Sequence, residues 1–428
     1  MKSNKGIGSF KKNFWVVILM EFFERGSYYG MMSVLSIFLI LGKSDGGLGF
    51  SIGQAGAILG TIPPMLYFLP IISGAIADKF GYRNVLFFAF LSMFAGYLLT
   101  GISSSYTTVF MSLMILAVGA GFFKPIISGT IAKTTNSDNS TLGFGIYYWS
   151  INLGAFLFPL ILVPLLKASS YSYIFFMGAA SALFLFIINL VIFKEPQREK
   201  STQKISAVFT DMLKVLRDWR FLLMILLYSG FWVLYFQMFG TVLWYLKDYV
   251  NMTPVSNVVN SVLGLFVDNP SWKFDVEHVT VVNAGVIILL QLFVSNFVKG
   301  FKALPTMIAG IGLGTVGMGI LSISASPWIF ISGTVIFTLG EMTTHPKFIA
   351  YIGQIAPSEK KALYMGYSFL YGVIGSSIGG FLGSALYEKY VKELNQPSTL
   401  WMIFCGIGLF SMISLSLFNR FVAKKSTN

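Results

Sequence analysis

The chain has 428 residues, of which 55% are hydrophobic, 16% aromatic and only 11% charged, less than half the charged share of an ordinary soluble domain. A soluble enzyme is excluded, and the net charge of +13 reads first as a sidedness of Lys and Arg about a membrane rather than as a nucleic-acid footprint. One Cys, Cys405, and two His leave no material for an intramolecular disulfide or for a zinc or haem site of ordinary spacing.

In chain order, apolar stretches punctuated by Gly, Pro and charge predict spans at 13–42, 53–77, 85–102, 106–132, 142–166 and 172–193 in the first half. The second half repeats the count at 220–246, 277–298, 304–324, 326–347, 361–386 and 399–420. Each stretch can cross a hydrocarbon core of about 30 Å. The expected architecture is an all-α membrane protein of twelve transmembrane helices in two six-helix bundles. The bundles are residues 1–194 and 220–428, joined by a basic amphipathic linker over 195–219. No short apolar core with a small-residue cleavage pattern opens the chain, so no signal peptide is expected.

With the N-terminus inside, the inner segments collect 22 of the 30 Lys and Arg, which places both termini in the cytoplasm. The longest outer segment, about Asp248 to Asp275, mixes Asn, Pro, Trp and short apolar stretches, and its function is not readable. The Gly and Ser run from Gly372 to Gly383 suits close helix packing within a bundle.

Ionisable residues within spans cost on the order of 2.5–3.5 kcal/mol at the bilayer centre, so they are normally paired, face a cavity and carry function. In the first span Glu21, Glu24 and Arg25 stand at i, i+3 and i+4, on one helix face, with Tyr28 and Tyr29 a turn further on. Two carboxylates beside one guanidinium leave one carboxylate without a full counter-charge. That is the physical requirement for carrying a proton, and the same pattern also suits a buried structural ion network. Gly119 to Lys124-Pro125 in the fourth span and Gly340-Glu341 to His345-Pro346 in the tenth share a six-residue step from Gly to Pro. Such paired Pro-interrupted segments point to a midplane binding site. A cation in one half and an anion in the other suit a zwitterionic ligand, or else a direct salt bridge between the halves. Tyr67, Tyr148, Asn152, Trp232, Gln237 and Asn283 are further cavity candidates, each of which could equally be helix–helix glue. No His and carboxylate cluster, activated nucleophile or glycine-rich phosphate loop appears, which argues against a membrane-embedded enzyme.

The segment Gly74-Ala-Ile-Ala-Asp78-Lys79-Phe-Gly81-Tyr-Arg83 resembles the loop signature of the major facilitator superfamily. Glu21-x-x-Glu24-Arg25 followed by Tyr28-Tyr29-Gly30 resembles the first-helix signature of its proton-dependent oligopeptide transporters, with Gly26 where that family has phenylalanine. Tyr67-x-x-Pro70, Lys124-Pro125, Ser150-Ile-Asn152-x-Gly154, Phe231-Trp232 and Glu341 match the same family in order. The resemblance implies proton coupling at Glu21, Glu24 and Arg25, a substrate carboxylate at Arg25 and Lys124, and its amino group at Glu341. Tyr29, Tyr67, Tyr148, Asn152, Trp232 and Asn283 would line the pocket, and Gly74, Asp78, Lys79, Gly81 and Arg83 would form the conformational gating loop. It departs at Phe236, where many members carry an acid, and at His345, where they carry serine; the linker is also too short for the two extra helices of many bacterial members.

The expected function is therefore proton-coupled symport of di- and tripeptides or similar small zwitterions by alternating access. The alternative is a facilitator exporting or carrying a drug, an amino acid or another metabolite. A proton gradient in place of a cofactor, a small-molecule or peptide substrate, the lipid bilayer of the plasma (inner) membrane, and action as a monomer complete the expectation, with no metal and no nucleic acid.

Overall fold

The structure, a computed structural model, describes residues 7–136, 139–196, 215–357 and 361–423. The linker expected over 195–219 lies mostly outside the described residues. All regular structure described is helical. Among the described residues, ten helices are long and apolar enough to cross a membrane. The two other long ones, α1 (Lys12–Ile40) and α13 (Pro327–Ile355), are 29 residues each and fall below that hydropathy because they hold Glu21, Glu24, Arg25 and Glu341. Together they make the twelve expected spans.

Contacts divide the chain into two compact units, Met1–Met31 with Thr61–Asp218 and Met32–Gly60 with Trp219–Asn428. The first unit contains the first 20 residues of α1, most of α2 (Ile52–Phe80), then α3 (Tyr82–Ile102), α4 (Tyr106–Thr134), α5 (Ser140–Leu157), α6 (Val163–Lys167) and α7 (Ser172–Val191). A π-turn over Phe158–Leu162 joins α5 to α6, so the fifth span is continuous over Leu142–Lys167. The Pro residues expected to interrupt helices do not end them. Helix α2 runs through Pro63, Pro64 and Pro70, and α4 runs through Pro125, as packed neighbours and local adjustments can accommodate the lost backbone bonds.

The loop motif between α2 and α3 is built from tertiary contacts. Gly81 adopts φ 97°, a conformation that favours glycine, and lets α3 start immediately after α2. The Glu195 carboxylate then accepts from the backbone N–H groups of Tyr82 (2.9 Å) and Arg83 (2.8 Å). It satisfies two orphan donors and sets a negative charge at the helix N-terminus. Asp78 accepts from the Tyr82 hydroxyl at 3.2 Å and lies 3.9 Å from Lys133 at the end of α4, while the Arg83 guanidinium donates to the Leu190 carbonyl of α7. Helices α2, α3, α4 and α7 are thereby tied together at one end.

The second unit contains α8 (Trp219–Phe236), a 3-10 turn at Gln237–Phe239, α9 (Thr241–Tyr249), α10 (Thr253–Leu263), α11 (His278–Val298), α12 (Ala303–Ile320), α13, α14 (Lys361–Ser368), α15 (Leu370–Leu386) and α16 (Pro397–Phe421). Helix α13 continues through Pro346 to Ile355, eight residues beyond the expected end of that span. The long outer segment is folded rather than loose. It forms α10, whose Asn260 side chain bonds both the N–H and the carbonyl of Trp272 at 2.9 Å. The Ser256 hydroxyl accepts from Phe274 N–H at 3.0 Å.

Small residues set the closest approaches in this unit. Gly375 packs on Trp232, Gly379 and Gly383 on Gln237, and Gly380 on the backbone of Gly60. The Ser377 hydroxyl donates to the Gly60 carbonyl at 2.9 Å and Trp244 Nε1 to the Ser36 carbonyl at 3.2 Å. Gln237 is helix glue: its amide nitrogen donates to the carbonyls of Val233 (2.7 Å) and Gly379 (3.1 Å), and its oxygen accepts from Thr241.

Candidate functional site

In the first unit the charged face of α1 is buried, with Glu21 and Glu24 each 1% exposed and Arg25 7%. Arg25 forks onto Glu24, its Nη2 donating to Oε1 at 2.7 Å and its Nε donating to Oε2. This bidentate geometry is the strong form of a guanidinium–carboxylate pair. Glu21 is served less well, its Oε1 standing 3.8 Å from Arg25 Nε. Tyr147 of α5 lies within electrostatic reach of Glu21, and Glu21 Oε2 is buried with no hydrogen-bond partner among the described residues. Two carboxylates therefore share one guanidinium unequally, as the spacing implied, and the geometry selects Glu21 as the one short of partners.

Lys124 of α4 lies within electrostatic reach of Glu21, Glu24 and Arg25, with its ammonium 5.3 Å from the ring centre of Tyr67 on α2. The Arg25 guanidinium carbon lies 5.0 Å from the ring centre of Tyr28, whose ring packs edge-on against Tyr29 at 5.4 Å. Tyr29 in turn falls within electrostatic reach of Arg25. Asn152 is 8% exposed and donates to the Tyr148 carbonyl at 2.9 Å, while Tyr148 itself is 45% exposed. The structure thus brings Glu21, Glu24, Arg25, Tyr29, Lys124 and Tyr67 together. It adds Tyr147, which the sequence reading did not single out, although it directly precedes Tyr148.

The glycine after Arg25 has a structural counterpart. A Cβ at Gly26 would lie 2.7 Å from Phe158 Cγ, so the Phe158 ring, carried on the π-turn, occupies the space beside α1. Phe158 also packs edge-on against Phe22 at 5.7 Å and Phe23 at 6.1 Å. At Gly154 a Cβ would meet the Phe22 carbonyl oxygen at 2.6 Å and Gly26 N at 2.9 Å, so α5 touches the backbone of α1 beside the charged residues.

In the second unit Asn283 of α11 donates to Glu341 at 2.9 Å and to the Thr338 hydroxyl at 3.0 Å, holding a carboxylate on α13. One turn further, His345 Nδ1 is 3.5 Å from the Tyr228 hydroxyl, and its ring lies 5.5 Å from Trp232 and 5.7 Å from Tyr371. Trp232 is 5% exposed and packs against Tyr371 at 4.5 Å and Tyr235 at 4.7 Å. Phe236 extends this aromatic group, 6.1 Å from Trp232. Chemically, the first unit offers two cations and two carboxylates and the second a carboxylate beside an aromatic box, both suited to holding charged groups away from water.

The family model described as Major Facilitator Superfamily matches residues 14–268 and 271–427. The uncharacterized transporter YclF of Bacillus subtilis (strain 168) is 33% identical over 192 residues, 44% of this chain and 38% of that protein. The di-/tripeptide transporter of Lactococcus lactis subsp. lactis (strain IL1403) is 28% identical over 224 residues, 50% of this chain and 44% of that protein. The chain thus matches less than half the length of these curated relatives. The multidrug resistance protein MdtH of Escherichia coli O157:H7 is 25% identical over 378 residues, 86% of each chain. Among solved structures, a mutant of the peptide transporter POT in complex with sulfate superposes with a TM-score of 0.80 at 19% identity, covering 97% of this chain and 96% of that one. That likeness concerns the fold. A family model matched from the first span to the last, on twelve spans and the Asp78 loop, decides the matter: the chain belongs to the Major Facilitator Superfamily.

Proposed function

We propose that this protein is a proton-coupled symporter of di- and tripeptides or similar small zwitterions, a member of the proton-dependent oligopeptide branch working by alternating access. A proton gradient is its energy source and no cofactor is required. It sits in the plasma (inner) membrane with both termini cytoplasmic and acts as a monomer. The observation that carries this reading is the unequal cluster on α1, where Arg25 forks onto Glu24 and leaves Glu21 with a partnerless buried oxygen. The names of the curated peptide-transporting relatives support it.

The electrostatics of the cluster couple the two cargoes. With both carboxylates ionised, the charges of Glu21, Glu24, Arg25 and Lys124 cancel. A proton on Glu21 leaves a surplus positive charge, which strengthens the hold of Arg25 and Lys124 on a substrate carboxylate. By linkage, a bound carboxylate strengthens the hold on that proton to the same extent. Glu341, oriented by Asn283, takes the substrate's amino group, while Tyr29, Tyr67, Tyr148, Asn152 and Trp232 line the remainder. The Gly74–Arg83 loop gates the conformational change.

The test is uptake of labelled dialanine into liposomes containing the purified protein, with and without an inward proton gradient and with excess unlabelled di- and tripeptides. Gradient-driven, competable accumulation is the expected result. Folded protein that neither accumulates nor binds the peptide refutes the reading. A second reading, a facilitator exporting drug-like or metabolite cargo, is favoured by Phe236 in place of an acid and by the MdtH match over 86% of both chains. Gradient-driven efflux of a cationic dye, insensitive to dipeptides, would identify it.

A further inference from the structure

Away from the charged residues, the surface of the second unit carries a groove of about 780 Å3. Helix α11 is the least covered of the ten qualifying spans: 22% of its most apolar stretch is buried, against 33–61% for the others. It packs on α13, as does α12, but the two chain neighbours stand apart above their short connection at 299–302. One wall is Phe293 and Phe297 of α11 with Phe301 of the connection, the other Pro305, Ala309 and Leu313, spaced by four residues along α12. Leu339 and Thr343 of α13 form the floor. Thr343 turns its hydroxyl onto the Leu339 carbonyl at 2.8 Å, so the floor offers little polarity.

The groove is open and apolar, with Phe293 72% and Phe297 75% exposed. At its closed end Lys302 lines it, with Lys299 three residues earlier, both exposed. Lys347 pins this end by donating to the Phe301 carbonyl at 2.8 Å. From Pro305 to Leu313 the α12 wall rises about 12 Å at 1.5 Å per residue, most of the roughly 15 Å hydrocarbon depth of one leaflet. With Lys302 placed at headgroup level, a wall of that height ends near the bilayer middle. A helix of another protein would continue into the opposite leaflet; a single lipid chain would not. Basic residues beside clefts between helices on the side where Lys and Arg gather are suited to anionic headgroups.

We propose that this groove is a binding site for one anionic phospholipid, its phosphate held by Lys299 and Lys302 and an acyl chain lying between α11 and α12 on Leu339 and Thr343. By filling the wedge, the chain braces α11 against α13, the two helices whose Asn283 and Glu341 meet.

Native mass spectrometry of the purified full-length protein, titrated separately with phosphatidylglycerol and phosphatidylethanolamine, tests the proposal. The wild type should retain one phosphatidylglycerol in preference to phosphatidylethanolamine. Replacing Lys299→Gln and Lys302→Gln together should weaken phosphatidylglycerol retention on the order of tenfold, as expected for removing two basic groups at a membrane surface. Ala309→Trp, at an exposed wall position, should lower retention of either lipid while leaving the thermal unfolding of the delipidated protein unchanged. Equal retention of the two lipids by the wild type, meaning general boundary lipid only, would overturn the assignment. So would undiminished phosphatidylglycerol retention in the lysine double variant, or in Ala309→Trp.

Discussion

Neutralising the two carboxylates of α1 one at a time should give opposite phenotypes. Glu24→Gln keeps the side-chain shape but removes the anion onto which Arg25 forks at 2.7 Å. At an effective dielectric constant of about 20, that separation corresponds to a gross attraction of about 6 kcal/mol. Because Arg25 is only 7% exposed, its charge would be left buried and poorly compensated, and breaking such a pair typically costs about 3–5 kcal/mol. Glu21→Gln removes an attraction at 3.8 Å of about 4 kcal/mol gross, but it also removes the cost of keeping a carboxylate with a partnerless oxygen out of water, which is several kcal/mol. The net change should be about 1 kcal/mol or less. Thermal unfolding of the purified variants should therefore show a large loss for Glu24→Gln and near wild-type stability for Glu21→Gln. In liposomes, Glu21→Gln should abolish gradient-driven peptide accumulation while sparing counterflow exchange. If Glu21→Gln still accumulates peptide against its gradient, Glu21 is not the proton carrier. Wild-type stability in Glu24→Gln would refute the assigned pairing itself.

The remaining expectations probe neighbouring contacts. Gly26→Phe should destabilise the protein by about 1–3 kcal/mol through overpacking, because Phe158 already fills the space beside Gly26; Phe158→Ala in the same chain should restore much of the loss in a thermal melt, and additive losses would contradict this account. Glu341→Gln should weaken dialanine binding roughly tenfold while leaving an N-acetylated dipeptide almost unaffected, measured by competition, and equal losses for the two ligands would remove Glu341 from contact with the amino group. Glu195→Ala should cost about 1–3 kcal/mol, since two backbone donors at the start of α3 lose a charged acceptor; hydrogen exchange at Tyr82 and Arg83 should rise with it, and unchanged protection would show that another group caps the helix.

Much of the architecture was legible because membrane insertion is a local problem. A stretch of roughly 20 apolar residues must become a helix wherever lipid leaves no other partner for its backbone, so the spans could be located from composition alone. The charges could be found in the same way, since Glu21, Glu24, Arg25, Lys124 and Glu341 interrupt otherwise apolar runs. Helix periodicity further placed the first three on one face. Proline was the misleading signal. Pro125 and Pro346 lie inside continuous helices, while the irregular turns occur at Phe158–Leu162, Gln237–Phe239 and Tyr387–Glu393.

Spacing could say that one carboxylate of α1 would lack a full partner, but the fork of Arg25 onto Glu24 decides that it is Glu21. Gly26 read as a departure from a resembling pattern until Phe158, 132 positions away in the chain, was seen to fill its space. Glu195, at the edge of the linker, caps a helix that begins 113 residues earlier. The sequence by itself determined the membrane-spanning architecture and the inventory of buried charge, because apolarity and helical period act over one or two turns. Only the tertiary structure decided how those charges are held: Asn283 reaches Glu341 and Glu195 caps α3 across helices, and such approaches depend on packing at Gly26, Gly154 and the other small residues, which no local period encodes.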